Sequence, residues 1–264
     1  MILDTLAAAA KARVAKLEKQ KSLAAVREEA EEIARGETDG RAKRKFAETL
    51  QRPGLNFICE CKKASPSKGL ISPVFPYLEI AKAYEKGGAA AISVLTEPEY
   101  FLGSDAYLQE IAAQVDLPVL RKDFTVSPYQ IYEAKTLGAG AVLLICAILS
   151  PDQLQEFRLV AESVGLAALV ESHDAGEVET ALQSGAKLIG INNRNLKDFT
   201  VDINTCLQLR AGIPEDCICI AESGIRTEDD IRSLKANRFN GVLIGETLMR
   251  SGDPERMLRK LREA

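Results

Sequence analysis

The sequence predicts an α/β protein, a closed (β/α)8 TIM barrel with an N-terminal helical extension, and three observations carry that prediction. From about residue 55 onward, short β-branched runs alternate with longer amphipathic stretches. The runs number eight, at residues 55–61, 90–95, 118–121, 141–146, 167–170, 187–191, 217–221 and 241–244. Five of them end in an ionisable or amide side chain, and a closed barrel brings such strand ends to one mouth. Strict alternation of eight strands with eight helices favours closure over an open doubly wound sheet. No G-x-G-x-x-G follows the first run, which also counts against a dinucleotide-binding open sheet.

The helices expected between the runs lie near residues 77–86, 105–115, 128–137, 151–164, 175–183, 203–209, 228–235 and 254–262. Ser127-Pro128, Ser150-Pro151 and Asp253-Pro254 each pair a capping side chain with proline at the first helical position. Gly87-Gly88, Gly138-Ala139-Gly140 and Gly185-Ala186 fall where helices end and the next strand begins. The first fifty residues are rich in Ala, Lys, Arg and Glu and read as two helices, at 4–20 and 23–35. The expected division is therefore a helical extension over residues 1–50 and a barrel over 51–264. The extension is expected to cap the lower rim or flank of the barrel. The competing reading has Arg41 to Leu50 reaching over the mouth.

Net charge −4 leaves no global basic field for nucleic acid or an anionic membrane, so an anionic ligand needs a local positive pocket. No run approaches the roughly 20 apolar residues that span a bilayer. The six cysteines, four of them in two C-x-C pairs inside apolar runs, read as small buried hydrophobes in a reducing compartment. With one histidine and no C-x-x-C, no familiar zinc spacing is present. Glu18, Glu28, Glu29, Glu31 and Glu32 are too acidic for a transit peptide. These features fit a cytoplasmic enzyme without metal.

Burying a charge costs several kcal/mol unless it is paired or used. Repeated charge at strand exits thus marks one shared polar site. Strand side chains alternate faces, so Glu60 and Lys62 point the same way above Ile58, while Cys59 and Cys61 point oppositely. Lys122, Glu171, Asn192 and Glu222 close four further runs and should face that pair. Any one of them alone has a structural explanation; six on five strands favour catalysis. Ser223-Gly224 and Gly245-Glu246 follow runs seven and eight, where such barrels often bind phosphate through backbone N–H groups. Alternatively, the two glycines merely permit tight turns. Ser65 and Ser67, with Lys68 between first strand and helix, supply hydroxyl donors and a cation that closes over a phosphorylated substrate, or else form a solvated loop.

The strings Glu60-Cys61-Lys62-Lys63-Ala64-Ser65-Pro66-Ser67, Leu95-Thr96-Glu97, Tyr100-Phe101, Leu120-Arg121-Lys122-Asp123-Phe124, Val170-Glu171, Gly190-Ile191-Asn192-Asn193-Arg194, Ala221-Glu222-Ser223-Gly224-Ile225 and Leu243-Ile244-Gly245 span the chain. Together they resemble the indole-3-glycerol phosphate synthase family. The resemblance implies a carboxy-lyase of tryptophan biosynthesis that needs neither cofactor nor metal. Its substrate is 1-(2-carboxyphenylamino)-1-deoxyribulose 5-phosphate, which cyclises and loses CO2 and water. The resemblance places Glu60, Lys62, Lys122, Glu171, Asn192 and Glu222 in the catalytic set. It places Ser223, Gly224 and Gly245 at the phosphate, and Phe101, Phe124 and Arg194 beside the aromatic ring. Glu246 stands where some relatives have a small hydroxyl residue at the phosphate. Because a carboxylate repels phosphate, only its backbone N–H is expected to contribute.

On that reading Lys122 is the acid at the ketone oxygen, with Lys62 nearby lowering its pKa toward neutrality. Lys62 and Arg194 hold the substrate carboxylate while Glu60 positions Lys62. Glu171, with a raised pKa, protonates the departing hydroxyl, and Asn192 and Glu222 orient the sugar. A Schiff-base aldolase and a non-catalytic phosphate-binding barrel are the alternatives. The expected assembly is a monomer or weak homodimer, with other tryptophan-pathway proteins as candidate partners.

Overall fold

The computed structural model describes residues 2–36, 45–196 and 198–264. Eight parallel strands form a closed barrel: β1 Asn56–Cys61, β2 Ala91–Leu95, β3 Val119–Lys122, β4 Ala141–Ile145, β5 Ala167–Ser172, β6 Leu188–Asn192, β7 Ile218–Glu222 and β8 Gly241–Ile244. Each strand pairs with its sequence neighbours, and β8 closes on β1 through Phe57 opposite Val242 and Ile58 opposite Leu243. Before the barrel come α1 Ile2–Gln20, α2 Leu23–Gly36 and α3 Phe46–Leu50. Around it run α4 Tyr77–Gly87, α5 Asp105–Gln114, α6 Pro128–Thr136, α7 Pro151–Ser163, α8 Ala175–Gln183, α9 Asn204–Leu209, α10 Glu228–Ala236, α11 Glu246–Met249 and α12 Pro254–Glu263. The caps form as their sequences dictate: Ser127, Ser150 and Asp253 each accept a backbone N–H from the first turn of their helix.

Alternation along the strands divides the core into two shells. Cys59, Cys61, Ile92, Val94, Val142, Leu144, Val170, Ile189, Ile191 and Cys219 pack outward against the helices. Ile58, Leu120, Leu143, Ile145, Leu169, Leu188, Ile220 and Leu243 fill the barrel interior. On β1, β3, β5 and β7 the next inward position toward the C-terminal end is polar, and on β6 Gly190 intervenes before Asn192, which together create a charged layer above an apolar plug. All six cysteines are buried and free.

The extension does more than cover a flank. Phe46 and Leu50 of α3 belong to the interior cluster with Ala90, Ala91 and Ala141, so they plug the N-terminal end of the barrel rather than reach over the mouth. Small residues at the strand starts leave room for them, and Asn56 ties the plug down by donating to the carbonyls of Leu50, Arg52 and Asn240 at 3.1, 3.0 and 3.0 Å. The part of the mouth-covering expectation at residues 41–44 lies outside the described residues. Helix α2 lies on the flank against α6, with the Arg27 guanidinium 5.9 Å from the Tyr132 ring centre. It is α1 that reaches the mouth, through Ile2, Leu3 and Leu6. Arg13 pins α1 there by donating to both carboxylate oxygens of Asp123 at 2.7 Å. Among the described residues, no helix is long and apolar enough to cross a membrane.

Candidate active site

The inward polar layer opens into a cavity of about 390 Å³ at the C-terminal end of the barrel, and every site residue named from the sequence except Lys68 lines it. At its floor two cation–carboxylate clusters stand side by side. Lys62 pairs with Glu60, which is 4% exposed. Lys122 Nζ lies 2.8 Å from Glu171 Oε2 and 3.4 Å from Glu222 Oε2.

The electrostatics of the second cluster overturn two expectations. Burial works against the Lys122 ammonium, but Glu171, Glu222 and Glu60 outweigh it and hold the pKa above that of an ordinary lysine. Lys62 does not depress it, because carboxylates rather than a second cation surround the ammonium. Burial likewise works against ionised Glu171, yet Lys122 and His173 reverse the balance and hold it well below the carboxylate range. Glu222 is the acid that is raised, to about 7, by burial first and then by Glu171 and Glu60 against the pull of Lys122. Two carboxylates sharing one ammonium divide the roles: Glu171 gives up its proton the more readily and Glu222 keeps its proton to higher pH. Among the described residues, Glu222 Oε1 is buried without a hydrogen-bond partner.

Gly190 on β6 makes this arrangement possible, since a Cβ there would collide with Glu222 Oε1. The signal was present in the sequence as a glycine inside a strand, which marks close approach of another group. His173 was missed as well. It directly follows β5, contacts Glu171 Oε1 through Nε2 at 3.3 Å, and is displayed in sequence only as a lone polar residue just past a strand.

The upper walls come from loops. Glu97 accepts the backbone N–H groups of Glu99, Tyr100 and Phe101 at 3.0, 2.7 and 3.0 Å, and so folds the turn that presents Phe101. Phe101 and Phe124 stand with ring centres 6.1 Å apart, forming an apolar wall beside Leu3 and Leu6. Asn192 Oδ1 accepts the Arg194 backbone N–H at 3.0 Å, and the Arg194 guanidinium donates to Ser67 at 3.2 Å. Residues 64–65 and 69–70 pair as a short antiparallel hairpin, so the segment with Ser65 and Ser67 is built structure rather than a solvated loop.

On the opposite wall Ser223 adopts φ 66° and Gly224 φ 79°. Left-handed backbone at a non-glycine residue costs roughly 1–2 kcal/mol. Asn193 supports it by donating to the Ser223 carbonyl at 3.0 Å. Gly245 precedes α11, and a Cβ there would stand 2.5 Å from Glu60 Oε1, so this glycine serves the charged floor as much as the loop. The Glu246 side chain turns to Arg250 at 3.2 Å and toward Lys68 at 3.9 Å. Arg226 and Arg250 also border the cavity here and make the local positive wall that net composition conceals.

Comparison with known proteins identifies the family. The profile of the indole-3-glycerol phosphate synthase family matches residues 3–261. The chain is 53% identical to the indole-3-glycerol phosphate synthase of Ruminiclostridium cellulolyticum over 99% of both chains, and 54% identical to that of Endomicrobium trichonymphae over the full length of each. Among solved structures, thiamine phosphate pyrophosphorylase from Pyrococcus furiosus superposes with a TM-score of 0.60 over 79% of this chain and 94% of its own, at 16% identity, a likeness of fold alone. Charged strand ends, a positive loop wall and full-length identity above one half converge on one conclusion: the chain belongs to the indole-3-glycerol phosphate synthase family.

Proposed function

We propose that the cavity at the barrel mouth is where the family's reaction proceeds, with Lys122, Glu171 and Glu222 moving its protons. The chain is a carboxy-lyase of tryptophan biosynthesis acting on 1-(2-carboxyphenylamino)-1-deoxyribulose 5-phosphate. The observation that carries the residue assignment is the ammonium of Lys122 held between two buried carboxyls, Glu171 with its pKa lowered and Glu222 with its pKa raised.

The ring carbon bearing the carboxylate attacks the ketone, and Lys122 gives its proton to the oxygen as negative charge develops. An ammonium with an elevated pKa suits an alkoxide, a strong base that needs no acid until the bond is nearly made. Loss of CO2 returns its bonding electrons to the ring. The aniline nitrogen then expels the hydroxyl, which leaves as water after taking a proton from Glu222. Ionised Glu171 accepts the proton from the adjoining carbon, and the indole double bond forms. This departs from the parts expected of the two acids: Glu171, expected to be the acid, is the base, and Glu222, expected to orient the sugar, is the acid. Lys62, positioned by Glu60, and Arg194 hold the carboxylate before it leaves, while Asn192 orients the sugar. The ring lies against Phe101 and Phe124. The backbone at Ser223, Gly224, Gly245 and Glu246 receives the phosphate, with Ser65 and Ser67 closing over it.

Both lysines are paired with carboxylates, which disfavours the free amine that a Schiff-base aldolase requires. A retired barrel would have no reason to bear the cost of a buried Glu222 facing Glu171. The division at residue 50, a cytoplasmic location, and a monomer or weak homodimer working without cofactor complete the proposal. Substrate labelled in its carboxylate should release labelled CO2 in equal amount with indole product. Borohydride added during turnover should trap no adduct; a trapped lysine would favour the aldolase reading instead.

A further inference from the structure

His173 is the single histidine of the chain and lies outside the strand-end set. Its ring is held between two carboxylates. Nδ1 lies 2.9 Å from Glu177 Oε2, and Nε2 lies 3.3 Å from Glu171 Oε1. Glu177, in the first turn of α8, also accepts the backbone N–H of His173 at 2.8 Å, so one carboxylate clamps both ring and main chain. The clamp leaves Nε2 buried and facing Glu171, at ion-pair distance but out of line for a hydrogen bond. The other oxygen of Glu171 holds Lys122. A continuous line from Glu177 through His173 and Glu171 to Lys122 therefore connects the barrel rim with the reacting centre.

We propose that His173 is a positioning residue for Glu171: clamped by Glu177, its cationic ring keeps that carboxylate ionised and turned to the barrel centre once Lys122 has given up its proton. The inference rests on the reaction assigned above. When Lys122 becomes neutral, Glu171 and Glu222 are left facing each other with no cation between them, and the proton would return to one of them. With His173 behind it, Glu171 keeps a cationic partner in both states and remains free to accept the second proton.

The groups facing the ring are Glu171 on its own strand and Glu177 from α8, with Lys122 and Glu222 beyond Glu171. Cys146, from the turn after β4, reaches the same clamp through the Glu177 carbonyl at 3.5 Å, and burial pushes its thiol up to about 11, so it stays neutral. Burial alone would lower the pKa of the ring, but its two carboxylates reverse this and lift it to about 10.

One histidine makes the test direct. Imidazole NMR signals of the substrate-free enzyme should report a cationic ring through about pH 8, and Glu177→Gln should bring its midpoint down by about one pH unit or more. In turnover, His173→Gln should lower kcat about tenfold to hundredfold with KM within about threefold. The acidic limb of its pH profile should move up by about one to three pH units, because Glu171 has lost a cation. Glu177→Gln, which leaves the ring in place, should show the same changes to a smaller extent and carries the test if His173→Gln does not fold. A wild-type ring titrating near 6.5, or variants with an unmoved pH profile, would overturn the proposal. The NMR titration needs no substrate, so an inactive protein with a cationic ring would count against the assigned reaction and not against the charge state of His173.

Discussion

Replacing Glu222 by Gln should stabilise the protein at alkaline pH while lowering its turnover. The Glu222 carboxyl is 1% exposed and pushed from 4.5 to about 7 by burial and its acidic neighbours. An acid whose folded pKa is raised binds its proton more tightly in the folded chain. Its contribution is therefore fully present below the unfolded value of 4.5 and is lost as pH rises through about 7. Ionising the group in place destabilises the native state by about 3 kcal/mol, at about 1.4 kcal/mol per pH unit. Gln keeps the shape and carries no charge. The variant should match wild type near pH 4, gain about 1–1.5 kcal/mol near pH 5.5, and gain about 3 kcal/mol near pH 8. For a chain of this length that is roughly 6–12 °C in Tm at the alkaline end. Thermal unfolding followed by far-UV circular dichroism at the three pH values, at fixed ionic strength, gives the answer. A Tm difference independent of pH, or a variant less stable than wild type near pH 8, would refute the idea that Glu222 is a strained acid. Stability gained together with activity lost is the signature of a site kept under strain for function.

Gly190→Ala should remove most activity by displacing Glu222, and because the collision is with a side chain, folding measured by circular dichroism should survive. Gly245→Ala should raise KM and lower kcat together, since its Cβ meets Glu60 while the same backbone borders the positive wall; a change in KM alone would separate the two roles. Arg13→Ala breaks a part-buried ion pair between α1 and Asp123, which follows β3 and keeps Thr96 and Arg121 as partners. It should lower stability by about 2 kcal/mol and raise KM by loosening the wall formed by Leu3 and Leu6; unchanged KM would show that α1 is only a clasp.

Most of the barrel was legible because its strands obey a period of two and its helices announce their starts. The apolar residue two positions before the charged strand ends, such as Ile58 before Glu60 or Leu120 before Lys122, foretold which face each would take. What the sequence hid depends on distance in space. Nothing local shows that Phe46 and Leu50 fill the bottom of the barrel, because their partners Ala90 and Ala141 lie far along the chain. The same holds for Arg13, whose partner Asp123 is 110 residues away. The raised pKa expected of Glu171 falls on Glu222 instead, for the same reason. Strand position shows that both face the centre, but which one keeps its proton depends on His173 behind Glu171 and on the missing side chain at Gly190.

The chain contains no tryptophan, so an indole product can be seen against a background of tyrosine alone. The most direct test adds the carboxyphenylamino-deoxyribulose phosphate to purified protein and follows indole fluorescence, beside Lys122→Ala with substrate binding measured by calorimetry. Wild type should give a steady rise, and the variant should keep binding within about tenfold while its turnover falls by roughly 10²–10⁴. A variant that turns over normally once saturated would contradict Lys122 as the acid, and no rise from folded wild-type protein that binds the substrate would contradict the assigned reaction.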